Sequence, residues 1–164
     1  MSKITIYQPE YASFRVEDSI DTYYRDDFKQ AYQYEGNDKL EEIFEKFNIN
    51  RPEDFQGHSL SVGDIVSIDD KLYICCNFGW KDIKWGERKL VDDIHYLHYG
   101  GDNTTYDKLL EELKANGTKI MFGWSGDYFV TLYLYNGFIY RHWVDEEYGV
   151  QSEIEKFEII KGEA

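Results

Sequence analysis

Two groups of side chains in this chain have residue types and spacings that chemistry can use. His58 and Ser59, within Gly57-His58-Ser59-Leu60-Ser61, together with Asp64 could supply a base, a nucleophile and an orienting carboxylate. Neighbouring side chains rarely face one another, however, and no Gly-x-Ser-x-Gly elbow surrounds Ser59. A local role fits better: His58, Ser59 and Ser61 can bond loop backbone and set the entry into a strand at Val62. His95 and His98, preceded by Asp92 and Asp93 and joined by His142 from elsewhere, raise a His-carboxylate metal site. Tyr96-Leu97 between them and Gly100-Gly101 after them equally describe a strand running into a turn. In a strand the two histidines point to opposite faces and share no ion. No catalytic residue, metal ligand or cofactor is therefore assigned, and the chain is expected not to be an enzyme.

The remaining charged groups suggest binding. The sequence holds 18 Lys and Arg against 32 Asp and Glu, a net charge of −14, spread along the chain and not gathered in a tail. Direct contact with nucleic acid or an anionic membrane is not expected, because phosphates are gathered by basic patches. The charged groups singled out are Asp38, Glu41, Glu42 and Glu45 on one helix face, Asp69-Asp70 in a turn, and Asp145-Glu146-Glu147. Carboxylates displayed along a surface can occupy the groove of a DNA-handling protein, using the field that normally draws in DNA. The alternative is the solvated face of an acidic protein. Tyr133, Tyr135 and Tyr140 could anchor a partner, since Tyr is enriched at interface hot spots, or could lie beneath a helix.

These residues need a folded support. Aromatic residues make up 18% of the chain and hydrophobic residues 42%, which separates it from disordered acidic segments and supplies a core. Residues 3–7 alternate as a strand, and 13–16 suggest another, whereas 18–36 give no clear pattern. Leu40, Ile43, Phe44 and Phe47 repeat at helical spacing over residues 38–47, with Asn37 as N-cap and Lys46 able to pair with Glu42. Residues 62–68 and 71–77 form a predicted hairpin around Asp69-Asp70. A second helix is expected over 105–115, with Thr104 and Asp107 as a capping box and Asn116-Gly117 as a left-handed stop. Asn136-Gly137 predicts a two-residue hairpin between 128–135 and 138–144, and it fixes the faces. Phe129, Thr131, Tyr133 and Tyr135 then share a side with Phe138, Tyr140, His142 and Val144. A last strand is expected over 156–160. The fold class is α+β, two amphipathic helices packed on antiparallel hairpins, either as one compact unit or as subdomains 1–83 and 104–164 joined by a connecting segment 84–103. Cys75 and Cys76 are adjacent in a strand and read as free thiols on opposite faces.

The run from Leu40 to Phe78, above all the block from Phe44 to Val66 (FEKFNINRPEDFQGHSLSVGDIV), is similar to the YodL-like domain. A helix ending in Phe-Asn, a Pro-Glu-Asp-Phe loop, Gly-His-Ser-Leu-Ser and a strand led by Gly-Asp occur together there. The resemblance covers about the first 80 residues. It implies a context of plasmids, integrative elements and phages, and no catalytic residues; residues 84–164 carry no such resemblance.

The expected function is that of a non-enzymatic acidic protein of a mobile element or phage. It would bind and inhibit a basic nucleic-acid-handling host protein, as an anti-CRISPR or anti-restriction factor does, by DNA mimicry in one form. The same charge would serve an immunity protein that neutralises a basic toxin nuclease, and an enzyme of unknown type is the third alternative. With no signal-like apolar run and none of membrane-spanning length, a cytoplasmic location is expected. Oligomeric state is not legible in the sequence.

Overall fold

The computed structural model describes residues 1–10, 13–14, 16, 20–145 and 151–160. The elements in chain order are β1 (Ser2–Pro9), β2 (Ser13–Phe14), β3 (Thr22–Tyr24), a 3-10 turn (Arg25–Asp27), β4 (Phe28–Gly36), α1 (Leu40–Ile49), β5 (Ile65–Ile68), β6 (Lys71–Cys75) and β7 (Trp80–Leu97), followed by α2 (Thr104–Asn116), β8 (Thr118–Ser125), β9 (Tyr128–Tyr135), β10 (Phe138–Asp145) and β11 (Gln151–Ile160). Helices and antiparallel strands are both present, and the strands dominate. The chain divides into two compact units, one of residues 1–10 and 16–85, the other of residues 11–15 and 86–163. Residues 84–103, expected as a connecting segment, hold most of β7 and the turn after it.

In the first unit the strand order is β4-β1-β5-β6-β7, with β3 also on β7 and β4 at the outer edge. The alternation of β1 decides its faces: Ile4 stands opposite Tyr34 and Ile68, and Ile6 opposite Tyr32 and Val66. Ile4 and Ile6 join Ile43, Phe47, Phe55, Leu60 and Val66 in one cluster, against which Tyr32 and Tyr34 pack. Full burial of side chains such as Ile43 and Phe47 contributes about 1.5–3 kcal/mol each. Phe44 is the exception in the helical stripe and remains 39% exposed.

The polar face of α1 differs from the expected pairing. The N-cap is Lys39, not Asn37, and the Glu42 carboxylate accepts the Lys39 backbone N–H at 2.7 Å. Glu42 thus closes the first turn. Lys46 instead pairs with Asp38 at 3.0 Å, and Asp38 also accepts the Tyr34 hydroxyl at 2.8 Å. The Tyr34 bond, and then Lys46, hold the Asp38 carboxyl below its ordinary value.

The β5–β6 hairpin turns at Asp69-Asp70 as expected, with both residues at positive φ, 47° and 68°. Those angles define the mirror-image turn whose twist suits paired strands, at a steric cost that Asp bears better than bulkier residues. Asp69 offsets part of the cost, because its carboxylate accepts the Lys3 backbone N–H of β1 at 2.9 Å.

In the second unit β7 pairs with β11, and the order continues β11-β10-β9-β8-β2. The β9–β10 register is the one Asn136-Gly137 dictates, with Tyr135 opposite Phe138 and positive φ at both turn residues. The helix α2 covers the aromatic face: Tyr106 and Leu113 cluster with Tyr133, Tyr140 and Ile154. Its ends depart from expectation. Asp102, not a Thr104–Asp107 box, accepts the Thr104 N–H at 2.9 Å, and Asn103 bonds the Leu97 backbone through both amide atoms. Gly117 is extended, not left-handed; glycine is needed there because a Cβ would meet the Leu113 carbonyl oxygen at 2.6 Å.

Two substitutions test the β5–β6 turn. Asp70→Gly removes the Cβ from the second positive-φ position and should raise the stability of the first unit by about 0.5–1 kcal/mol. Asp69→Ala keeps the strain and loses the Lys3 bond, and should lower stability by about 1–2 kcal/mol. Urea denaturation midpoints at unchanged slope check both.

Candidate functional site

The Gly57-His58-Ser59-Leu60-Ser61 block folds around a side chain that lies far from it in sequence. Gln8 of β1 is wholly buried. Its Nε2 donates to the His58 carbonyl at 2.8 Å and to Asp64 Oδ2 at 3.1 Å, and its Oε1 accepts the His58 N–H at 3.2 Å. Gly57 permits this approach, because a Cβ there would come within 2.3 Å of Gln8 Oε1. Asp64 Oδ2 also accepts the Ser61 N–H at 2.9 Å, whereas Oδ1 is buried with no hydrogen-bond partner among the described residues. Burial pushes the Asp64 carboxyl up to about 6, against the pull of His58, Ser61 and Gln8. His58 Nδ1 lies 2.8 Å from the Ser59 carbonyl oxygen, to which Ser61 Oγ also donates at 2.8 Å. His58 and Asp64 are near one another, 3.7 Å apart, but their contacts fasten a loop.

That loop leads into β5 and forms one wall of a groove in the first unit. Ser61 and Val62 line it from the loop, Glu41 and Phe44 from α1, Cys75 from β6, Cys76 from the turn after it and Trp80 from β7. The Phe44 and Trp80 rings meet edge to face at 6.4 Å. Nearby in the chain, Phe78 is 97% exposed at the β6–β7 turn and Ile49 is 71% exposed at the end of α1. Glu41 and Glu45, four residues apart, share the exposed side of α1 with Phe44. The groove therefore combines exposed rings with carboxylates. Neither Cys75 nor Cys76 is in a disulfide, as expected, and burial pushes the Cys75 thiol up to about 11.

The other residues singled out from sequence divide into three sets. Glu41, Glu45 and Asp70 are exposed, whereas Asp38, Glu42 and Asp69 are committed to Tyr34 and Lys46, to the α1 N-terminus and to β1 respectively. Tyr133 and Tyr140, offered as partner contacts, are core residues at 2% and 6% exposure, because the apolar stripe of α2 needs that sheet face. Tyr135 is half-buried and donates to Glu112 at 2.8 Å. Asp145 ends β10 with its side chain half-buried, and Glu146 and Glu147 lie outside the described residues. His98 lies past the end of β7 with its ring on Tyr99. The residues sequence reasoning missed are Phe44, Phe78 and Trp80. Phe78 and Trp80 carried a signal, large apolar side chains on either side of Gly79.

In the second unit His142 is buried, with Nε2 2.8 Å from the Tyr106 hydroxyl, which in turn bonds Ser152 Oγ at 2.7 Å. Burial, and then Lys114, depress its ring to about 4.

Residues 6–85 match the family model of the YodL-like domain, and the match ends at the last residue of the first unit. No curated protein and no solved structure matches the chain.

Two buried groups with large shifts, Asp64 in the first unit and His142 in the second, should respond to acid in opposite directions. The raised folded-state value of Asp64 means its contribution is fully present below the unfolded carboxyl value and is lost as pH rises through about 6. The depressed value of His142 means its contribution is present above 6.5 and is lost as pH falls toward about 4. Amide exchange between pH 4 and 7 should show the first unit gaining protection, and the second losing it, on acidification. Asp64→Asn should flatten the first slope and His142→Gln the second.

Proposed function

Taking residues 6–85 as a member of the YodL-like domain family, we propose that this chain is a non-enzymatic acidic binding protein whose partner is a basic, nucleic-acid-handling protein. Inhibition of the anti-restriction or anti-CRISPR kind, on behalf of a mobile element or phage, is the form we favour. The observation that carries the reading is the α1 groove. Phe44, Trp80 and Glu41 line one concave surface, with Glu45 exposed one helical turn from Glu41, in a chain of net charge −14. Carboxylates steer a cationic partner into encounter, and exposed rings hold it once water is excluded. Neither Phe44 nor Glu45 belongs to the bonds that fasten the fold, so the surface can change without loss of the core.

The test is capture from a host lysate followed by binding to the purified partner. A basic nucleic-acid-binding protein, released by salt and displaced by DNA, is the expected capture. Phe44→Ala should then weaken binding by about 2 kcal/mol, roughly 30-fold, chiefly in dissociation. Glu41→Lys with Glu45→Lys should slow association by about 10-fold or more and reduce its salt dependence. Capture of an acidic protein, or binding indifferent to both salt and DNA, refutes the reading.

A further inference from the structure

We propose that Asp93, His95 and Glu153 form a binding site for a divalent transition-metal ion of the Zn2+ class, on one face of the second unit's sheet. The strand register builds it. Asp93 and His95 are two apart on β7 and so share a face, and β11 places Glu153 directly opposite His95. His95 Nε2 lies 3.2 Å from Asp93 Oδ2 and 3.4 Å from Glu153 Oε1. One ligand atom from each of the three side chains lies within 4.8 Å of the others.

Those spacings are what a metal asks for. Bonds of roughly 2.0–2.2 Å at tetrahedral angles place donor atoms about 3.3 Å apart, so little movement would close the set around an ion. One imidazole nitrogen with two carboxylates favours a borderline transition metal, and the exposed side leaves a fourth position to water.

A second observation points to a cation. Glu153 is only 8% exposed, yet its carboxylate and that of Asp93 lie within 4.8 Å of one another. Two carboxylates hold such an approach by sharing a proton or a cation. Arg141 is paired with Glu155 across β10 and β11. His95 is the cationic partner available to Glu153, and its charge depends on protonation. A bound ion would neutralise both carboxylates and fasten β7 to β11.

The experiment is calorimetric titration of the metal-free full chain with Zn2+, and with Mg2+ for comparison. One Zn2+ per chain should bind saturably at micromolar ion, with a rise in Tm, and Mg2+ far more weakly. His95→Ala, at an exposed position where folding is not at stake, should weaken Zn2+ binding by well over about 10-fold, the loss that even an outer-shell partner causes. Glu153→Gln should do the same, with circular dichroism as the control for fold, and His98→Ala should change nothing. Substituting Co2+ should shift the His95 ring resonances most among the four histidines. Absence of saturable Zn2+ binding, equal binding by His95→Ala, or Mg2+ binding as tight as Zn2+ overturns the proposal.

Discussion

The burial of one neutral amide governs the first unit. A Gln side chain inside a core must have its donors and acceptor satisfied, or it costs several kcal/mol. Gln8 meets that requirement with the His58 backbone and ring and the Asp64 carboxylate. The chain between them must therefore pass close to β1, which explains Gly57, and must turn so that Ser61 N–H reaches Asp64. From there Asp64 is backbone-bonded to Cys75, which sets the start of the β5–β6 hairpin. The residue types that first suggest a nucleophile and its base are accounted for by this requirement. The groove beside α1 takes its loop wall from the same anchoring.

Where a pattern repeated locally, it was legible. Leu40, Ile43 and Phe47 place α1, Tyr106, Leu109 and Leu113 place α2, and Asn136-Gly137 fixes a register that sets which side α2 covers. The strands that went unread lack such repetition. Residues 28–36 bury mainly Phe28, Tyr32 and Tyr34, and Tyr is ambiguous between core and surface. Of the 18 residues of β7 only Ile83 is buried, so its periodicity is faint, and its pairing with β11 depends on residues far along the chain. In β8 both Ile120 and Met121 are buried across an irregularity in register, which breaks alternation where it would have been informative. The candidate groove was less legible still, since Phe44 reads as one more core residue of its stripe.

Acidity proved to be of two kinds. Asp38, Glu42, Asp64 and Asp69 are fastened to backbone or to neighbouring side chains and take part in holding the first unit together. Glu41 and Glu45 contribute to no such bond among the described residues and define a field along the exposed side of α1. Net charge alone does not make that distinction, because a carboxylate that caps a helix and one that meets a partner count equally in the sum. Geometry separates them by asking which N–H groups would be left unsatisfied without each.

The outer strand β4 pairs only with β1 among the described residues, and so offers a row of backbone groups along its other side. An open edge of this kind recruits strands from other molecules, the first step of amyloid-like stacking. Lys29, Gln30, Gln33 and Glu35 stand exposed along this one. Charges of both signs and uncharged amides make a second strand poorly matched in register and expensive to desolvate. Tyr32 and Tyr34, the β4 residues with high strand propensity, are turned inward. The composition that obscured this strand in the sequence therefore acts as a guard against self-assembly.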